Sequence, residues 1–83
     1  MQAIAGYSTG NTPVASKTLS AKVGDMFFCA AYGGTISVTG GQIVLQRTDT
    51  SEYPWVIAKA TATSVTFALS NGAETRFQIG QIR

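Results

Sequence analysis

From Met26 to Arg47 the chain alternates in a two-residue period and is cut twice by glycine pairs, Gly33-Gly34 and Gly40-Gly41. Alternating side chains point to opposite faces of a strand. Gly-Gly suits two-residue hairpin turns, which require positive φ. Read as two such turns, segments 26–32, 35–39 and 42–47 form a three-stranded meander. The first turn sets Ala31 opposite Ile36 and Cys29 opposite Val38. The second sets Val38 opposite Ile43 and Ile36 opposite Leu45. One face then carries Phe27, Cys29, Ala31, Ile36, Val38, Ile43 and Leu45. A one-residue slip would move each strand's set to the opposite side, so the agreement of two turns on one apolar face checks the register.

The rest of the chain reads as further short strands between turn signals. Segment 14–21 is a weak edge strand, and Val23-Gly24-Asp25 turns into the apolar run. Pro54 opens a strand over 55–60, a position proline tolerates. Segment 63–69 follows a turn near Thr61-Ala62. A three-residue loop, Ser70-Asn71-Gly72, then sets Val65 opposite Phe77, Leu69 opposite Ala73 and Thr63 opposite Ile79, with a final strand over 73–82. Residues 1–13 read as an arm: Met1 to Gly6 can pair as a short strand, and Tyr7 to Pro13 is turn chemistry. No segment shows a helical apolar period. The expectation is one all-β domain over 14–83: a small antiparallel, meander-rich β-sandwich or barrel of about seven short strands, with an extended N-terminal arm.

The second face of the meander holds Phe28, Ala30, Tyr32, Thr35, Ser37, Thr39, Gln42, Val44 and Gln46, with no charge. A solvated sheet face normally alternates to Lys, Glu and similar residues. The whole chain shares this poverty: only 12% of residues are charged, against about 25% in ordinary soluble domains. Such a surface stays soluble when other protein covers much of it. Two coverings fit: a second layer of the same domain or the arm, and a subunit or partner. Eighty-three residues give a marginal core. One cysteine excludes an internal disulfide, and the absence of histidine argues against structural zinc. Oligomerisation or docking is the aid that remains, and the alternative is a monomer with a tight core.

Candidate chemistry is sparse. Without histidine, Ser-His and Cys-His nucleophile pairs are impossible. Asp49 and Glu52 share a loop and could meet as a glycosidase pair, but a chain this short has little room for the cleft they need. The same loop is too thin in ligands for a calcium signature, though its carboxylates and carbonyls could bind a cation weakly. Cys29 sits on the apolar face, where a thiol is inert. Phosphate-binding glycine signatures are absent. These readings give no catalytic residue, no cofactor and no metal. The net charge is +2 and the basic residues are scattered, which argues against nucleic acid and an anionic membrane. The longest apolar run, 26–32, is far below the roughly 20 residues of a membrane helix. No basic segment followed by an apolar core opens the chain, so no secretory signal is expected and the location read is cytoplasmic unless the protein is viral. Tyr53-Pro54-Trp55 reads as a core tryptophan with a tyrosine lid, as an interface anchor, or as a stacking platform for sugars. Arg47, Lys59 and Arg76 could converge to bind single-stranded nucleic acid, the weaker reading.

The texture resembles small β-structured virion proteins of tailed bacteriophages, such as head-decoration (cement) or tail-associated proteins. The features that carry it are the Thr/Ser/Ala/Gly-rich body, residues 18–28 (TLSAKVGDMFF), the Gly-Gly-punctuated strands and residues 65–72 (VTFALSNG). The resemblance is compositional and transfers no functional residue. It implies a non-enzymatic virion subunit that binds copies of itself or a larger coat or tail protein. The expected contact residues are Phe28, Tyr32 and Val44 of the uncharged face, Tyr7 of the arm, and Tyr53 and Trp55. The alternative is a small module that binds carbohydrate or single-stranded nucleic acid.

Overall fold

The computed structural model describes residues 2–47 and 53–83, and among these it contains strands and no helix. The strands are β1 (Ala3–Ser8), β2 (Ser16–Ser20), β3 (Met26–Ala30), β4 (Ile36–Thr39), β5 (Gly41–Arg47), β6 (Trp55–Ala60), β7 (Ser64–Leu69) and β8 (Gln78–Ile82). They form an open sandwich of two antiparallel sheets, a five-stranded one in the order β1-β8-β3-β6-β5 and a three-stranded one in the order β2-β7-β4. Part of the segment read as an arm supplies β1, hydrogen-bonded along β8 at the edge of the larger sheet. The pairs β1–β8, β2–β7 and β3–β6 nest inside one another, as if one long hairpin of the whole chain had been wound up. That is the nesting of a jelly roll. β5 departs from it by joining the edge beside β6.

The glycine-marked turns therefore do something other than make hairpins. β3, β4 and β5 do not form a meander, because β4 lies in the opposite sheet from its two sequence neighbours. The pairings expected across Gly33-Gly34, Gly40-Gly41 and Ser70-Asn71-Gly72 are absent; β7 and β8 also lie in different sheets, and the last strand begins at Gln78. The inward sets nevertheless survive. Phe27, Cys29, Ala31, Ile36, Val65, Phe67, Leu69, Phe77 and Ile79 are all buried, since strands facing each other across a core present the same parity as strands side by side. The two arches brace each other: Ser70 N donates to Thr35 O at 2.8 Å, and Asn71 Nδ2 donates to Gly33 O at 3.1 Å. Leu45 leaves the set. A register shift at Val44 in β5 turns Leu45 outward opposite Ile57, and Ile43 stays at the sheet margin.

Gly40 makes the sharpest bend. β4–β5 and β6–β7 run antiparallel and cross together from one sheet to the other. Between the pairs Thr39–Thr66 and Gly41–Ala60 the inner track spends one residue, Gly40, while the outer track spends residues 61–65. Gly40 has φ +82°, and a β-carbon there would overlap the carbonyl oxygen of Ser64. Its own carbonyl accepts a hydrogen bond from Thr61 N at 3.0 Å.

Across the core, Phe27 of the larger sheet meets Phe67 of the smaller one edge to face, ring centroids 5.7 Å apart. At one end of the sandwich Asp25 is 1% exposed and accepts four hydrogen bonds, from Lys22 N, Gln81 Nε2, and Arg83 Nε and Nη2, at 2.8–2.9 Å. This clamp ties the β2–β3 turn to the last strand. The hydrogen bonds from Arg83, and next the one from Lys22 N, hold the carboxyl well below the usual carboxylate range. Among the described residues no buried side-chain nitrogen or oxygen lacks a partner.

Two outcomes are expected in thermal and acid unfolding. Gly40→Ala should cost more than about 3 kcal/mol, while Gly72→Ala, also at positive φ but facing open space, should cost about 1 kcal/mol. Asp25 binds its proton less readily when folded than when unfolded, so its contribution is full above an ordinary carboxyl pKa of about 4 and fades as pH falls below it. Acid titrations should show that slope. Asp25→Asn should flatten it and lower the neutral-pH Tm by at least about 5 °C.

Candidate functional site

The outward side chains of the five-stranded sheet form three cross-strand rows. The middle row runs Leu45, Ile57, Phe28, Gly80, Gly6 from β5 to β1. Below it run Gln42, Lys59, Met26, Ile82 and Ala3, and above it Arg47, Trp55, Ala30, Gln78 and Ser8. The face follows directly from alternation. β3 and β6 bury Phe27, Cys29, Val56 and Ala58, so Phe28, Trp55 and Ile57 must point out. Phe28 is 48% exposed and Leu45 is 55% exposed. The Phe28 ring stacks on Trp55, two residues along β6 from its direct partner Ile57, at 6.1 Å and 27°. Lys59 and Arg47 are the charges on these rows.

The aromatic line continues past the strand ends. Tyr32 and Tyr53 keep the parity of Phe28 and Trp55 and touch each other at 5.5 Å, 60% and 68% exposed. They flank a half-open cleft of about 380 Å³ with Asn11, Arg76 and Gln78. The tyrosine loop is pinned from below. Tyr32 N donates to Thr75 Oγ1 at 3.1 Å, and that hydroxyl donates to Tyr32 O at 2.7 Å. Thr75 itself is buried. Ala31 N donates to Pro54 O at 3.1 Å, joining the two tyrosine-bearing segments.

Of the expected contact residues, the fold brings Phe28, Trp55, Tyr32 and Tyr53 together on this surface. Val44 lies at the β5 register shift on the sheet margin, 58% exposed. Tyr7 lies elsewhere. It points inward against the core, and Lys17 Nζ sits 4.1 Å from its ring centroid, closing the open side between β1 and β2. The uncharged second face expected of the meander is divided. Phe28, Ala30 and Gln42 belong to the rows above, whereas Ser37 and Thr39 belong to the smaller sheet. Sequence reasoning missed Met26, Ile57, Ile82, Leu45, Gly6 and Gly80, whose grouping depends on the long-range pairs β5–β6, β3–β8 and β1–β8.

Cys29 is fully buried, and burial pushes its thiol pKa up to about 12. Asp49 and Glu52, the pair considered for glycosidase or cation chemistry, lie outside the described residues. Among the described residues no cluster of three or more His, Cys, Asp or Glu side chains could hold a metal ion, and no helix is long and apolar enough to cross a membrane. No family model, curated protein or solved structure matches this chain.

Proposed function

We propose that this chain is a non-enzymatic assembly protein that docks through the outer face of its five-stranded sheet. One observation carries the reading: Leu45, Ile57, Phe28, Trp55, Met26 and Ile82 form a contiguous apolar area on the outside of a sheet whose core needs none of them. Contiguous patches of this kind mark contact surfaces. Burial would contribute roughly 25 cal/mol per Å² of apolar area, less the cost of association. The resemblance to tailed-phage virion proteins makes a capsid-decoration or cement subunit the specific form of the proposal, with further copies or a larger coat or tail protein as partner. Jelly-roll sandwiches serve both in capsids and in lectins, so the topology accommodates this reading without selecting it.

The experiment is light scattering after gel filtration, over a range of concentrations, on the wild type and on Phe28→Lys. The wild type should exceed the 8.7 kDa of one chain, and the variant should run as one chain with a Tm within about 5 °C of wild type. A monomer at every concentration contradicts assembly through further copies, and equal loss of assembly and folding contradicts the docking face.

The Tyr32–Tyr53 cleft favours one second reading, a saccharide site. Aromatic faces stack on the C–H groups of a sugar ring, and Asn11, Gln78 and Arg76 offer amide and guanidinium hydrogen bonds beside them. Amide-shift titration with tetragalacturonate and maltotetraose tests it. Saturable shifts centred on Tyr32 that disappear in Tyr32→Ala support a binding module; no shift at millimolar sugar counts against it.

A further inference from the structure

The outer face is divided into a bulky half and a bare half. β3 and β6 present Phe28, Ile57, Trp55 and Met26, while β8 and β1 present Gly80 and Gly6 in the middle row, Gln78 and Ser8 in the upper and Ile82 with Ala3 in the lowest. The two glycines are not required by the fold. Neither has positive φ, and a β-carbon on either would meet nothing within 4 Å. Glycine within a strand weakens it, and it often marks a place where another chain approaches closely. Here the paired glycines leave a floor directly beside the most prominent ring of the face, since Gly80 is the cross-strand partner of Phe28 and Gly6 is the partner of Gly80.

We infer that the occupant of this face is a second copy of the chain, packed sheet on sheet about a two-fold axis that runs parallel to the strands between β3 and β8. This rests on the assembly reading above and gives that surface its partner. Rotation about such an axis places each strand over its mirror position in the row. Phe28 comes over Gly80 of the second copy, and Ile57 over its Gly6. Trp55 comes over Ser8, whose hydroxyl oxygen already accepts from Gly10 N at 3.1 Å and Gln78 Nε2 at 2.7 Å. Met26 meets Ile82. Lys59 comes over Ala3 and not over another cation. β5 overhangs, leaving Leu45 with Arg47 and Gln42 at the rim of the overlap. Each contact occurs twice, which is the self-complementarity an isologous pair demands. An axis through β3 would instead stack Phe28 on Phe28 and set Ile57 over Gly80 and Leu45 over Gly6.

The size of the face sets the strength. Four overlapping strands of five residues cover roughly 19 Å by 17 Å, about 320 Å² per partner and below the roughly 800 Å² of a standard interface, so self-association is expected to be weak, at micromolar or higher concentration.

The test uses sedimentation velocity across that range on the full chain. Gly80→Val should leave Tm unchanged or higher, because the position is open and valine favours strands, yet it should weaken self-association by at least about tenfold. Phe28→Gly should weaken it as well. The exchanged pair Phe28→Gly with Gly80→Phe should recover association, since the ring and its floor have traded places. If the wild type associates and Phe28→Lys abolishes it while Gly80→Val does not, the nested two-fold packing is overturned and the docking face stands. If association is indifferent to Phe28, both are overturned.

Discussion

The contact between the two inner sheet faces, centred on Phe27 against Phe67, is what the rest of this molecule depends on. A chain of 83 residues has one interior, and two sheets must fill it from alternate positions. Phe77, Val56, Val65, Ala58 and Cys29 complete that packing and are essentially without solvent exposure. Folding therefore accounts for one residue in two along each strand. It does not account for Phe28, Trp55, Ile57, Leu45 and Met26, which those same strands hold outward. Contiguous apolar side chains on an outer sheet face mark contact surfaces, and the proposed second copy would cover all of these but Leu45 on β5.

The connections exist to keep that single interior closed. β4–β5 and β6–β7 bend together at Gly40, so one ribbon contributes to both sheets. The Asn71 and Ser70 contacts bind the two arches at one end, and the Asp25–Arg83 clamp holds the β2–β3 turn against the last strand. Lys17 over Tyr7 closes the flank where β1 and β2 leave the sheets open. An inward-pointing charge of this kind also discourages strand addition at an edge.

Much of this was legible in the alternation, and some of it could not be. The all-β class and the core positions Phe27, Cys29, Ile36, Val65, Phe67 and Phe77 follow from the two-residue period, while Val56, Ala58 and Ala60 of β6 carry no inward assignment from it. Pairing was not legible, because Gly-Gly and Ser-Asn-Gly serve an arch between sheets as well as a hairpin within one, and both keep the inward parity. Agreement of two turns on one apolar face thus tested side-chain direction and not hydrogen bonding. The register shift at Val44 carries no glycine or proline to announce it, so plain alternation puts Leu45 on the inward face whereas the structure turns it out. For the surface, Phe28 with Tyr32 and Trp55 with Tyr53 were readable from local spacing. The glycine floor was not, since Gly6 and Gly80 are far apart in sequence and meet Phe28 only through β8.

Trp55 is the single tryptophan and sits within the face on which this account turns. Quenching of its fluorescence by iodide, followed as protein concentration rises through the micromolar range, reports whether this face becomes covered. Trp55 should be quenched readily in dilute solution and become shielded as the chains associate. Quenching that stays the same at every concentration, in a protein that remains folded, would contradict that covering.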